Sequence, residues 1–118
     1  MRREFVPFHE GTIRKELDEL PSKDAAKLAS LMSHYEQCGL SNPSPAQIDD
    51  YGDGLYRLRH IKPAYQGRLL FFASDRTAGF ERLVILMAYK KQGQRAPQHI
   101  VETAKKRKKQ WENEKKKS

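Results

Sequence analysis

The side chains able to do chemistry lie late in the chain, and nearly all are cationic. Residues 51–97 hold nine Lys and Arg against three Asp and Glu, whereas residues 1–50 hold six against nine. Arg57, Arg59, Arg68, Lys90, Lys91 and Arg95 carry most of this excess. Such a concentration selects a polyanionic partner. One chemistry that such a set can serve is cleavage of a phosphodiester strand, as in RNA. Without a metal, that reaction needs the 2′-OH deprotonated, the phosphorane stabilised and the leaving 5′-oxygen protonated. Arginine suits the second task, being planar, permanently charged and bidentate toward phosphate. It is a poor base. Lys91, set among other cations, is the candidate base, and His99 or His60 the candidate acid or base, since histidine titrates near neutrality.

Each residue also has a plainer reading. Arg57 and Arg59 alternate onto one face of a strand, as residues of a solvated face do. Arg68 can pair with Asp53 or Asp75. Lys90 and Lys91 can be loop charges, and a histidine in the first turn of a helix, like His99, is more often structural. Tyr56, Phe71, Phe72 and Tyr89 can stack bases, though their strand spacing suits a core better. Lys105, Lys106 and Arg107, upstream of Trp111, suit phosphate contacts and equally a solubilising helix end.

Composition narrows the classes. The chain has 118 residues and net charge +8, which suits one core. A single cysteine, Cys38, rules out an internal disulfide, and no Cys/His spacing fits a metal site. Neither metal nor cofactor is expected. Met1-Arg2-Arg3 leads into no apolar stretch, and the longest apolar run, Leu83 to Ala88, is too short to cross a bilayer. The expectation is a soluble cytoplasmic protein with no membrane partner, comprising one domain over 1–111 and a basic tail over 112–118.

Strands must position these cations. Residues 55–61 alternate, residues 68–73 and 80–89 read as further strands, and polar turns separate them. Upstream, Ile13, Leu17 and Leu20 have helical spacing after Gly11-Thr12, and Pro21 stops that helix. Ser22 caps a second helix through Ala25, Leu28, Ala29, Met32 and Tyr35, closed by Gly39. Residues 4–8 suit an edge strand, since Pro7 lacks a donor. Residues 41–45 read as a loop. Pro97 opens a last helix through Ile100, Ala104 and Trp111 that frays in its Lys-rich end. The order β-α-α-β-β-β-α is α+β, with two N-terminal helices packed on a small antiparallel sheet of three or four strands, plus a C-terminal helix. Leu17, Leu28, Leu58, Leu70, Phe72, Val84 and Leu86 are the expected core. In this meander the start of the 68–73 strand lies near the ends of its neighbours, so Arg68 can meet Arg59 and Lys91 at one phosphate.

Four segments in this order resemble a known family. Gly54-Leu55-Tyr56-Arg57-Leu58-Arg59, Gly67 to Phe72, Leu86 to Pro97, and Ile100 with Ala104 and Arg107 resemble the motifs of phage Gp49-like, HigB-type toxins of the RelE/ParE superfamily. The resemblance covers residues 50–111. It implies a RelE-like fold and the toxin of a type II toxin–antitoxin system. Such a toxin is a metal-independent, ribosome-dependent mRNA endoribonuclease that inhibits translation. Taken with the residue chemistry above, the expected catalytic residues are Arg68, Lys91, Arg95 and His99, and the expected RNA-binding residues Arg57, Arg59, Lys90, Lys105, Lys106 and Arg107. The implied partners are mRNA, the ribosome and a cognate antitoxin with a helix-turn-helix domain, whose acidic segment would cover the Arg/Lys face or the N-terminal helices. ParE-like relatives instead inhibit DNA gyrase without chemistry, and a non-toxic phage-derived binding protein is a further alternative. Three positions depart from the family pattern. Arg57 stands at a usually acidic position, Gln92 at a usual lysine, and the last helix lacks the tyrosine that assists chemistry in RelE relatives.

Overall fold

The structure, a computed structural model, describes residues 1–41 and 43–116. Asn42 of the 41–45 loop and residues 117–118 of the tail lie outside the described residues. The elements are β1 (Arg2–Pro7), α1 (Glu10–Asp18), α2 (Ser22–Cys38), β2 (Ala46–Asp50), β3 (Tyr56–His60), β4 (Gly67–Arg76), β5 (Phe80–Lys90) and α3 (Gln98–Lys116). The class is α+β, as expected.

The sheet corrects the expected three or four antiparallel strands. Among the described residues it has five, in the order β1-β5-β4-β3-β2, and it is mixed. β1 is an edge strand but runs parallel to β5, from Arg2 opposite Phe80 to Pro7 opposite Ile85. The chain leaves β1 through both helices, enters at the far edge as β2, and returns by three antiparallel steps.

β2 is the strand the sequence hid. Its residues, Ala-Gln-Ile-Asp-Asp, have poor strand composition. It forms because Gly52-Asp53-Gly54 turns the chain back, with φ of 82°, 55° and 77°. Glycine takes this left-handed region freely and aspartate tolerates it. The Tyr51 N–H donates to the Leu55 carbonyl at 2.9 Å and closes the hairpin.

Two apolar layers flank the sheet. Ile13, Leu20, Leu28 and Leu31 of the α1–α2 segment pack on Leu58, Leu69, Phe71, Leu83 and Ile85. On the other face Ile100 and Ala104 of α3 cover Leu55, Leu70, Phe72, Val84 and Leu86. Six of the seven expected core residues are buried, and Leu17 is half-buried. α2 begins at Ser22 itself, with Pro21 at the cap position. α3 continues past residue 111 to Lys116.

A register shift in β5 decides which of its side chains share a face. Leu70 pairs with Met87, but Phe71 pairs with Ile85, so Leu86 is one residue extra. A bulge of this kind changes which alternate residues face a given side. Leu86 and Met87 both belong to the α3 side. Tyr89 therefore lies on that side too, directly opposite Arg68.

Beyond the end of β1 the edge of β5 is closed by side chains. The Ala88 N–H donates to Glu16 Oε1 at 3.0 Å. Arg107 Nη1 donates to the Leu86 carbonyl at 2.9 Å and to Glu16 Oε2 at 2.7 Å. Buried backbone groups need such partners, and here α1 and α3 supply them.

Candidate functional site

α3 covers only part of its face of the sheet. Where it leaves the sheet bare, Arg57, Arg59, Arg68, Lys91, Gln94 and Arg95 line a concavity of about 320 Å³. Five of the ten expected site residues meet there. Arg57 and Arg59 come from alternate positions of β3, Arg68 from the second residue of β4, and Lys91 and Arg95 from the loop after β5. The bulge at Leu86 puts Tyr89 on this face, and Lys91, two residues on, follows it.

The arginines divide into held and available groups. Arg57 is only 6% exposed. Its Nε and Nη2 donate to Asp49 Oδ2 at 3.0 and 2.9 Å, and its Nη1 donates to the Gln94 carbonyl at 3.1 Å. Its guanidinium also lies 5.3 Å from the centre of the Tyr51 ring. Arg57 thus ties β2 and β3 to the 91–97 loop and has little left to offer a ligand. Arg59 donates only its Nε to Asp49 Oδ2, at 3.0 Å. Its terminal nitrogens make no hydrogen bond among the described residues. Arg68, 4% exposed, donates Nη1 to the Tyr65 and Gly67 carbonyls at 2.9 and 3.1 Å. Its Nε and Nη2 have no such partner among the described residues. Arg95 lies over Tyr51 at 4.7 Å and is exposed.

Electrostatics favour an incoming anion. Burial works to raise the Asp49 carboxyl, but hydrogen bonds from Arg57 and Arg59 outweigh it and hold the group below its ordinary range. Asp49 is therefore charged and already committed. For Arg57, burial is outweighed by Tyr89 and Asp49, and the guanidinium is stabilised. For Arg68 the same two groups, Tyr89 and Asp49, do not make up the difference. Burial, then the charges of Arg57 and Arg59, push it below its ordinary value. Burial raises the Tyr89 phenol, with Arg57 opposing.

The remaining expected residues lie elsewhere. Lys90, opposite Gly67, is sent to the other face by strand alternation. His99 is exposed at the start of α3, its carbonyl accepting from Thr103, and does not line the concavity. Arg107 is half-buried in the tie to Glu16 and β5. Lys105 reaches Asp53 at 3.4 Å, and Lys106 is exposed further along α3. His60 is buried on the α2 face, beside the Tyr65 ring at 4.6 Å. Burial, then Lys27 and Lys62, lower it.

Asp49 and Tyr51 were not anticipated. Tyr51 carries both Arg57 and Arg95 on its ring, and its hydroxyl accepts from the Ala96 N–H at 2.9 Å. The Gly-Asp-Gly turn was the available signal. A hairpin folded there puts Asp49 opposite Arg57.

Residues 15–109 match the family model described as phage derived protein Gp49-like (DUF891). No curated protein matches the chain.

Proposed function

The chain belongs to the phage-derived Gp49-like family, and from that premise we propose that it is the toxin of a type II toxin–antitoxin pair, a ribosome-dependent endoribonuclease acting on mRNA in the cytoplasm. The observation that carries this reading is the concavity. It gathers four arginines and a lysine, with no carboxylate among the described residues that line it.

A phosphodiester seated there meets the free nitrogens of Arg59 and Arg68, which are the donors for the phosphorane. The 2′-oxygen attacks phosphorus as its proton passes to the neutral amine form of Lys91, and the bond to the 5′-oxygen breaks. The leaving oxygen takes its proton from water on the open side. The products are a 2′,3′-cyclic phosphate and a 5′-hydroxyl. Arg57, Asp49 and Tyr51 hold the donors in place. Alignment by the ribosome supplies much of the rate when side-chain chemistry is modest. Lys105 and Lys106, exposed on α3, would add phosphate contacts outside the concavity. An antitoxin with an acidic segment over the concavity would silence the protein by occupying the same donors.

The test is expression in cells followed by primer extension on mRNA, with purified protein added to mRNA with and without ribosomes. Discrete cuts in translated mRNA are expected. Growth arrest with intact mRNA and impaired DNA supercoiling would replace this reading with the gyrase alternative.

A further inference from the structure

Asp24 lies in the first turn of α2, on the opposite face of the sheet from the concavity, and is only 2% exposed. A buried carboxylate is costly unless hydrogen bonds compensate it. Here two successive backbone amides at the start of β4 do so. Asp24 Oδ1 accepts from the Gln66 N–H at 2.7 Å and from the Gly67 N–H at 3.2 Å. The approach is possible because residue 67 has no side chain. A Cβ there would lie 3.1 Å from Leu28 Cδ1 and 3.3 Å from Asp24 Cβ. Lys27, also on α2, adds a second hold, its Nζ 4.8 Å from the centre of the Tyr65 ring.

The other ends of the same two peptide units go to the site. The Tyr65 carbonyl, in one unit with the Gln66 N–H, accepts from Arg68 Nη1 at 2.9 Å. The Gln66 carbonyl, in one unit with the Gly67 N–H, accepts from the Lys91 N–H at 2.8 Å. A peptide unit is planar, so gripping its N–H fixes where its carbonyl points. A carboxylate on the N–H also polarises the unit and strengthens the carbonyl as an acceptor. One oxygen of Asp24 therefore sets both the guanidinium of Arg68 and the main chain that carries Lys91. Arg68 depends on such a hold. Nη1 is its one tethered nitrogen among the described residues, and the like charges of Arg57 and Arg59 lie beside it.

We propose that Asp24 is a positioning residue for cleavage, holding from the far side of the sheet the 65–67 backbone from which Arg68 and Lys91 are hung. This rests on the endoribonuclease reading. A carboxylate that only joined α2 to the sheet would change stability and leave the rate per folded molecule alone.

The experiment measures ribosome-dependent mRNA cleavage by the whole protein, together with amide hydrogen exchange. Asp24→Ala should lower kcat about tenfold per folded molecule, since moving a reacting group by about 1 Å can cost roughly a hundredfold. The half-saturating ribosome concentration should not change. Asp24→Asn keeps an acceptor oxygen without the charge and should lose only about threefold. In an Arg68→Ala background the Asp24→Ala loss should shrink to under about threefold, the part that runs through Lys91. Leu31→Ala, buried about two turns further along α2, is the control and should lose stability with kcat kept. Exchange at the Gln66, Gly67 and Lys91 amides should quicken together, by about tenfold in Asp24→Ala. If Asp24→Ala does not fold, Asp24→Asn carries the same comparisons. A kept kcat in the Asp24 variants, or an undiminished loss without Arg68, makes Asp24 a residue of stability alone and overturns the proposal. Unchanged protection of the Lys91 amide overturns the anchor even where wild type cuts mRNA. A wild type that cuts no mRNA overturns the endoribonuclease reading, and the part of Asp24 in cleavage with it, whatever the exchange at residues 66, 67 and 91.

Discussion

The same two strands build two unlike surfaces on one side of the sheet. Under α3, Leu55 of the hairpin and Leu70 and Phe72 of β4 are buried in an apolar layer. One alternate position away, Arg57 on β3 and Arg68 on β4 are just as buried and charged. Burial alone therefore does not separate the core from the site. What separates them is whether α3 lies overhead. Its Ile100 and Ala104 exclude water from the first surface, while the second is walled by the 91–97 loop and stays open. The apolar end gains free energy from burial at about 25 cal/mol per Å². The cationic end does not, since Arg68 is buried beside two like charges. The protein holds that unfavourable cluster in place with Asp49 and Tyr51.

The contrast breaks most sharply at Arg68. Arg68→Ala should lower mRNA cleavage a few hundredfold, since losing one transition-state donor costs about 3–4 kcal/mol. The melting temperature should barely move, because losing two hydrogen bonds to carbonyls is offset by relief from Arg57 and Arg59. Arg68→Lys should recover only part of the rate, lacking a bidentate grip. Wild-type cleavage by Arg68→Ala would remove this residue from the chemistry. Ile100→Ala, in α3 over the apolar layer, tests the other end. It should cost about 3 kcal/mol of stability by urea denaturation, as buried Leu or Ile to Ala changes do, with cleavage per folded molecule unchanged. A larger loss of rate than of stability would mean the two ends are coupled.

The smallest effect tests the support beneath the arginines. Asp49→Asn should cost about 1–2 kcal/mol near neutral pH, the worth of a hydrogen bond to a charged group. The sign of its pH dependence follows from the depressed carboxyl. The contribution is complete above the unfolded value of about 3.9 and fades as pH falls through the folded value, because the unfolded chain binds the proton first. Wild type and the Asp49→Asn variant should therefore converge in stability once the pH lies below that folded value. A constant gap down to that pH would show that the charge of Asp49 does not hold the cluster.

Much of this arrangement was legible. Period-2 alternation gave β3, β4 and β5, and helical spacing gave α1 and α2, because each pattern reflects a face that must be buried. The motif segments also pointed to Arg68, Lys91 and Arg95. β2 was not legible, since its acids obeyed the site rather than strand composition. Asp49 is in that strand to pair with arginines that neighbour it only across the sheet. Arg107 was expected to contact RNA, yet its guanidinium reaches Glu16, far back in the sequence.

By itself the sequence determined the helices, the three-strand meander, the family and the presence of excess positive charge late in the chain. These are local matters, set by residue type and period. Tertiary structure alone decided which cations meet. The bulge at Leu86 puts Tyr89 on the face of Arg68 and leads Lys91 after it, while sending Lys90 away. β1 pairs parallel with β5, and β2 starts at the opposite edge. A one-residue change of register reverses every side chain beyond it, and register is fixed by partners across the sheet that the linear order does not reveal.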